Sequence, residues 1–288
     1  MQSGNQAETL KKIARRMMNR PHLRTLAVSS GKGGVGKTNV VANLAYALSK
    51  QGRKTLVVDA DLGLNNIDIL LGLAPKFHIG HALSGEKTVD EIIIEGPGGI
   101  HLLPAGDGLQ ELTQLDTEKK MVLMDELDRV SAGYDFLLFD TGAGISTNVT
   151  YFCSAANEII LVVTAEPTSL TDVYALIKIL NKNHAQKHFR VIINSVKAEL
   201  EAQRVFRHLT AVTDKFLSGV SVEYLGHLVY DPNVSKAVRR QQPFLELYPH
   251  SKVGMCMKEL ANKIANERQT LSEQENRPLF WRSALQIQ

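Results

Sequence analysis

The sequence predicts an α/β protein in which a mainly parallel sheet of seven to eight strands is covered by helices on both faces. The first observation behind this prediction is a set of seven short apolar runs that are rich in β-branched residues. The runs are continuously apolar rather than alternating, which indicates strands that are buried on both faces. They cover residues 25–30, 55–59, 100–104, 136–140, 159–164, 190–194 and 225–229.

The second observation is that stretches of helical periodicity separate the runs, as in residues 39–51, 117–131, 169–183 and 199–217. Strand, helix and strand in repeated order are typical of a parallel sheet, because parallel neighbours need a crossover connection. Ligands bind to such sheets beyond the carboxyl ends of the strands. We therefore expect the functional residues directly after the apolar runs.

Composition excludes several classes of protein. The chain has 288 residues, of which 44% are apolar and 22% charged, as in an ordinary globular protein. No stretch approaches the roughly 18–20 consecutive apolar residues of a membrane-spanning helix, and the N-terminus does not read as a secretory signal. Cys153 and Cys256 lie far apart and form no metal-binding spacing. We expect a protein of the reducing cytoplasm.

Charge is distributed unevenly along the chain. Residues 1–24 carry six cations and one acid, a net +5, whereas the whole chain is +3 and the remainder is therefore −2. We expect a basic arm over residues 1–24, one domain over residues 25–267, and a linker with a short apolar tail over residues 268–288. A mildly acidic body makes nucleic acid an unlikely partner.

The first apolar run leads into the sequence GKGGVGKT, which matches the phosphate-binding pattern G-x-x-x-x-G-K-[ST] between a strand and a helix. Glycines let backbone N–H groups turn inward, and the helix N-terminus adds positive potential. Lys37 is expected to reach the β- and γ-phosphates, and Thr38 to ligate Mg²⁺. The chain is thus predicted to be a P-loop NTPase. The candidate nucleotide-binding residues here are Gly31, Lys32, Gly33, Gly34, Val35, Gly36, Lys37, Thr38 and Asn39.

Lys32 is a second lysine that an ordinary P-loop does not need. With it, KGGVGKT resembles the deviant Walker A motif of the MinD/ParA class of ATPases. The resemblance implies an ATP-dependent homodimer in which Lys32 of each subunit reaches the phosphates bound by its partner. The alternative is a solvated surface lysine.

Two acidic segments follow later apolar runs. By resemblance to the switch I segment of the class, Asp61 faces the γ-phosphate and orients the attacking water near Mg²⁺, while Asp59 is expected to support the loop or to cap the strand. The segment from Asp140 to Gly144 resembles the Walker B and switch II segment, so Asp140 is expected to hold a Mg²⁺-bound water. The predicted catalytic set is Lys32, Lys37, Asp61 and Asp140, and the predicted metal set is Thr38, Asp61 and Asp140.

Base recognition is expected after the last two strands. The class places an asparagine against the adenine, which here is Asn194, and Asp231, Pro232 and Asn233 would approach the ring from the other side. A guanine-reading NKxD motif is absent at Asn194, so ATP is favoured over GTP. Either loop is also compatible with an ordinary turn between strand and helix.

Within the class, residues 29–73 and 230–238 resemble the flagellar number regulators called FlhG, FleN or YlxH. Cluster cysteines and a tyrosine-rich tail, which would indicate other branches, are absent. The resemblance implies slow, Mg²⁺-dependent ATP hydrolysis, and cycling between a cytoplasmic monomer and an ATP dimer at the membrane or on a partner. It also implies flagellar switch proteins or a flagellar transcription regulator as partners. ParA-like DNA partitioning, MinD-like control of the division site and a metabolic ligase of this fold remain alternatives.

The two ends of the chain carry further predictions. Residues 5–11 are similar to the element by which FlhG stimulates the GTPase FlhF, although Asn5 and Lys11 depart from its pattern, so residues 5–18 are a candidate FlhF contact. A helix from Pro278 would place Phe280, Trp281 and Leu285 on one face. By resemblance, residues 278–288 bind an anionic membrane in the ATP state; the alternative is that they pack on the domain.

Overall fold

The computed structural model describes residues 23–61, 67–104 and 117–267, with only the backbone described for residues 117–120. The predicted FlhF contact at residues 5–18 and the predicted membrane-binding tail at residues 278–288 lie outside the described residues. No helix in the described ranges is both long and apolar enough to cross a membrane.

An eight-stranded sheet forms the centre of the molecule, in the order β3-β4-β2-β5-β1-β6-β7-β8. All described neighbours are parallel except the edge pair β3 and β4, which is antiparallel. The predicted fold class is therefore confirmed, and each of the seven apolar runs forms a strand. The strands are β1 Arg24–Ser30, β2 Thr55–Ala60, β3 Ile94–Glu95, β4 His101–Leu103, β5 Phe136–Ala143, β6 Glu158–Val163, β7 His188–Val196 and β8 Ser221–Val229.

Helices cover both faces of the sheet and form two separate apolar cores. The core on one face is closed mainly by α1, α9, α10 and α11, and the core on the other face by α3 to α8. The helices of the described ranges are α1 Lys37–Lys50, α2 Ile67–Leu70, α3 Ile79–Leu83, α4 Val89–Ile92, α5 Thr117–Ser131, α6 Thr147–Ala155, α7 Pro167–His184, α8 Glu199–Phe216, α9 Pro232–Arg239, α10 Phe244–Leu247 and α11 Lys252–Asn266.

A cluster of charged side chains, which we call the basal ion cluster, joins the amino ends of the central strands to the end of α11. It consists of Arg24, Glu158, Arg190 and Glu267. Glu158 accepts hydrogen bonds from Arg24 at 2.6 Å and from Arg190 at 2.8 Å, and Arg190 also pairs with Glu267 at 2.6 Å. Both arginine side chains are about 10% exposed. Because Arg24 also donates to the carbonyl of Ile264, the cluster attaches α11 to the sheet.

The first glycine of the P-loop touches a helix backbone. A Cβ atom at Gly31 would lie 2.2–2.4 Å from backbone atoms of Asp172 and Val173 in α7, closer than any real contact. Gly33, two residues on, has no atom within 4 Å of such a Cβ. The absence of a side chain at Gly31 therefore lets the start of the P-loop pack directly on α7, whereas a side chain at Gly33 would meet no neighbouring atom.

We predict that Glu158→Gln lowers the free energy of unfolding by about 3 kcal/mol, because it leaves two buried guanidinium groups without their shared carboxylate. Asp90→Asn is the matched control, since Asp90 pairs with Arg129 where both side chains are more than half exposed, and it should cost less than about 1 kcal/mol. Urea unfolding of the two variants checks this. Equal losses would contradict a structural role for the basal ion cluster.

We predict that Gly31→Ala destabilises the fold by about 2–3 kcal/mol, because the new methyl group overlaps the backbone of α7. Gly33→Ala should leave thermal unfolding nearly unchanged, since its methyl group meets no atom. Both variants are measured without nucleotide, so that the comparison reports packing alone. A stable Gly31→Ala protein would show that the P-loop shifts away from α7 at little cost.

Candidate nucleotide-binding site

The P-loop links the end of β1 at Ser30 to the start of α1 at Lys37. Gly34 and Gly36 adopt φ values of +79° and +89°, in the left-handed region that favours glycine. Gly36 is the N-cap of α1, and no side chain caps the helix there. The first N–H groups of α1 are thus left without a capping side chain, which is the arrangement that binds anions.

A cavity of about 590 Å³ opens above the P-loop. Its volume fits a nucleoside triphosphate, and its lining includes the glycines of the P-loop and the start of α1. Every predicted P-loop residue from Gly33 to Asn39 lines it, as does Asp61, whereas Gly31 and Lys32 do not. The lining residues are Ser30, Gly33, Gly34, Val35, Gly36, Lys37, Thr38, Asn39, Asp61, Ile69, Leu70, Ala143, Val238, Arg239 and Gln241.

Lys37 and Asp140 form a buried ion pair at the base of the P-loop. The Lys37 ammonium lies 2.7 Å from Asp140 Oδ1, and the two side chains are 8% and 1% exposed. Burial raises the pKa of Asp140 above its usual range, although Lys37 and a hydrogen bond with Thr38 act in the opposite direction. The negative charge of Asp140 is therefore costly where it stands, and a further cation beside it would stabilise it.

Asp61 lies just beyond β2, facing the loop that follows Asp140. Its backbone N–H donates to Asp59 Oδ1 at 3.1 Å, a contact that fits both expectations for Asp59, support of the loop and a cap on the end of β2. A Cβ atom at Gly142 would lie 3.3 Å from Asp61 Oδ1, so only glycine leaves the Asp61 carboxylate its present room. Thr38, Asp61 and Asp140 thus converge on one side of the P-loop.

These oxygen groups are of the kind that Mg²⁺ prefers. In the described ranges no three or more His, Cys, Asp or Glu residues are grouped to hold a metal by themselves. A Mg²⁺ ion here would therefore use one hydroxyl, one or two carboxylates and oxygens of the nucleotide, as Mg²⁺ in nucleotide sites commonly does.

Cys153 and Cys256 are free thiols, and Cys153 is buried with its pKa raised by burial to about 12.

Lys32 has a different environment from Lys37. Its ammonium pairs with Glu166 at 2.6 Å and donates to Thr168 Oγ1 at 3.0 Å, both at the start of α7. The side chains of Lys32 and Glu166 are 38% and 63% exposed. Lys32 is thus held at the surface by its own chain, outside the cavity.

The predicted base contacts take part in local hydrogen bonds. Asn194 Nδ2 donates to the carbonyl of Val35 at 2.7 Å, and a Cβ atom at Gly36 would meet the same amide. Asp231 accepts from the N–H of Asn233 at 2.9 Å and so caps α9, with Pro232 in the first turn. Neither Asn194 nor the segment Asp231, Pro232 and Asn233 lines the cavity.

Seven residues of the cavity wall were not among the predicted site residues. Ser30 and Ala143 end β1 and β5, Ile69 and Leu70 come from α2, and Val238, Arg239 and Gln241 come from the end of α9 and the turn after it. No motif marks the last five. No local sequence signal would have found them; in the structure the side chains of Ile69 and Val238 are 56% and 39% exposed.

Comparison with known proteins gives consistent results. A family model described as an AAA domain matches residues 23–193. The chain is 43% identical over 242 residues to the antiactivator FleN of Pseudomonas aeruginosa, covering 84% of this chain and 86% of FleN. It is 32% identical over 252 residues to the flagellum site-determining protein YlxH of Helicobacter pylori, covering 88% and 85%.

Among solved structures, the septum site-determining protein MinD of Pyrococcus horikoshii, complexed with Mg-ADP, superposes with a TM-score of 0.66 at 25% identity. The match covers 85% of this chain and 96% of that protein. Together with the family model, which spans more than half of the chain, these similarities confirm the resemblance carried by the KGGVGKT loop. The chain belongs to the MinD/ParA class of P-loop ATPases, in the group that contains FleN and YlxH.

Proposed function

We propose that this protein is an ATP-hydrolysing switch that dimerises around ATP and regulates the number and placement of flagella. The observation that carries the proposal is the buried pair of Lys37 and Asp140 beneath a P-loop cavity of about 590 Å³. The flagellar role is supported by FleN, an antiactivator, and by YlxH, a flagellum site-determining protein, each matched over more than four fifths of the chain.

In this proposal the P-loop residues bind the phosphates of ATP. The N–H groups of the loop and of the first turn of α1 donate to phosphate oxygens, and Lys37 exchanges part of its pairing with Asp140 for the β- and γ-phosphates. Thr38, Asp61 and Asp140 would hold Mg²⁺, which when bound neutralises charge on the phosphate oxygens. Asp61 orients the attacking water. Because phosphoryl transfer needs little covalent help, this positioning and charge neutralisation supply most of the rate.

Base recognition follows the same proposal. Asn194 and the segment Asp231, Pro232 and Asn233 lie after β7 and β8, at the carboxyl edge of the sheet where nucleotides bind. For Asn194 to contact adenine, its amide has to release the carbonyl of Val35, to which it donates in this structure.

We propose that Lys32 leaves Glu166 when the ATP dimer forms and binds the phosphates of the partner subunit. An ion pair as exposed as that of Lys32 and Glu166 contributes at most about 1 kcal/mol. A triphosphate enclosed between two subunits offers several negative charges in a less polar environment and competes strongly for the same ammonium. The nucleotide state can therefore control whether two copies associate.

The remaining parts of the chain have proposed roles of their own. We propose an ATPase domain over residues 25–267 that is flanked by the arm of residues 1–24 and by residues 268–288. Residues 5–18 would contact an FlhF-type GTPase, and residues 278–288 an anionic membrane at the inner face of the cell membrane. Flagellar switch proteins or a flagellar transcription regulator are the further proposed partners.

Opposite effects on dimerisation are expected from the two members of the Lys32 pair. Lys32→Ala should remain monomeric with ATP, because it cannot neutralise the partner's phosphates. Glu166→Gln should dimerise at up to about 30-fold lower protein concentration, because a dimer then forms without breaking two ion pairs that are each worth at most about 1 kcal/mol. Light scattering coupled to size exclusion, with ATP and with ADP, measures both. A Lys32→Ala protein that dimerises and hydrolyses ATP normally would refute the proposed dimer.

Asp61→Ala should reduce ATP turnover by about 100-fold, because the attacking water is no longer oriented. The ATP dimer should also persist longer, since hydrolysis is what separates it. Asp68→Ala, seven residues further and outside the cavity lining, is the control and should turn over ATP like the unaltered protein. Phosphate release and dimer lifetime after an ADP chase give the two readouts, and unchanged turnover in Asp61→Ala would contradict the assignment.

A further inference from the structure

The end of α9 reaches the nucleotide cavity in a fixed conformation. Arg239 is the last residue of the helix, and Gln241 follows in the left-handed region at φ +55°. The N–H groups of Arg240 and Gln242 both donate to the carbonyl of Ala237, which closes the helix end. A Cβ atom at Gly72 would lie 3.0 Å from the carbonyl oxygen of Gln241, so this turn packs closely on the segment after α2.

Two adjacent arginines stand at this helix end, and they differ in position. Arg239 lines the cavity, whereas Arg240 does not. Neither guanidinium has an acidic partner within the described ranges. Among the described residues, Arg239 is thus a cation on the wall of the site that pairs with no acid, and Arg240 beside it is a natural control.

The charges of the cavity show why such a cation matters. Of the described residues that line the cavity, the charged ones are Lys37, Asp61 and Arg239. Lys37 is already paired with Asp140, and Lys32 lies outside, bound to Glu166. ATP brings several negative charges beside Asp61, and a cation on the same wall that pairs with no described acid would stabilise them in addition to Lys37 and Mg²⁺.

We propose that Arg239 binds a phosphate oxygen of ATP within its own subunit. This inference rests on the proposed function, because it assigns a further contact to the same site. A guanidinium presents two parallel N–H donors to a phosphate, and such charge-assisted pairs are among the strong hydrogen bonds of proteins. The contact also connects α9 to the nucleotide, which makes the end of this helix part of the site.

Arg239 has another possible role, which the test must separate. A cation in the last turn of a helix interacts favourably with the helix dipole, and this effect stabilises the fold whether or not a nucleotide is bound. Arg240 stands next to the same helix end, so a dipole effect acts on both arginines. A phosphate contact acts on Arg239 alone and only when nucleotide is present.

The test is direct binding of Mg²⁺-ATP to the full chain by calorimetry, with Arg239→Gln, Arg239→Lys and Arg240→Gln compared. Arg239→Gln should raise Kd for ATP at least about tenfold, and Arg239→Lys should recover part of the loss because the charge remains but the paired donors do not. Arg240→Gln should stay within about twofold of the unaltered protein. Thermal unfolding without nucleotide should be the same for Arg239→Gln and Arg240→Gln, because any dipole effect acts on both arginines.

Different outcomes would contradict the Arg239 contact and the proposed function. If Arg239→Gln and Arg240→Gln bind ATP equally well, or if Arg239→Gln weakens binding only by destabilising the nucleotide-free protein, the inference is wrong. If the unaltered protein does not bind ATP, or Lys37→Ala binds it equally well, the proposed function itself is wrong.

Discussion

A buried lysine–aspartate pair is the interaction around which this molecule is arranged. Lys37 begins the helix after β1 and Asp140 lies in β5, the neighbouring strand, and their charged atoms meet 2.7 Å apart with almost no exposure to solvent. Burying two charges costs more solvation energy than a single contact returns, and the raised pKa of Asp140 reflects that cost. The pair therefore contributes little net stability to the fold. Its effect is to fix a lysine and a carboxylate in place at the carboxyl end of the sheet.

The two lysines of the P-loop lie in different environments, one exposed and one buried. Lys37 opens α1, and its buried side chain pairs with Asp140. Lys32 stands one residue after Gly31, where the chain presses on the backbone of α7, and its side chain therefore turns to the exposed start of that helix. The same contact that excludes a side chain at Gly31 brings Lys32 beside Glu166. The contact of Gly31 with α7 and the pairing of Lys32 with Glu166 therefore lie side by side at the start of this helix.

Much of the fold and part of the site could be predicted from sequence because their signals are local. Continuous apolar runs marked all seven longer strands, and KGGVGKT marked the phosphate loop. The strand β3 has two residues, and helices such as α2 and α10 have four, which is too short for any periodicity. The cavity wall was missed for another reason: Arg239 and Ile69 are about 170 residues apart in the chain. Only the crossing of α9 over the face that carries α1 brings them together, and no spacing rule encodes that crossing.

The basal ion cluster has a mechanical consequence. Arg24 opens the first strand and Glu267 follows the last described helix, so the two ends of the ATPase core meet at the amino edge of the sheet, while the cavity lies at the carboxyl edge. A mechanical load applied at residues 24 and 267 would therefore act on the same few side chains, at the edge of the sheet opposite the cavity.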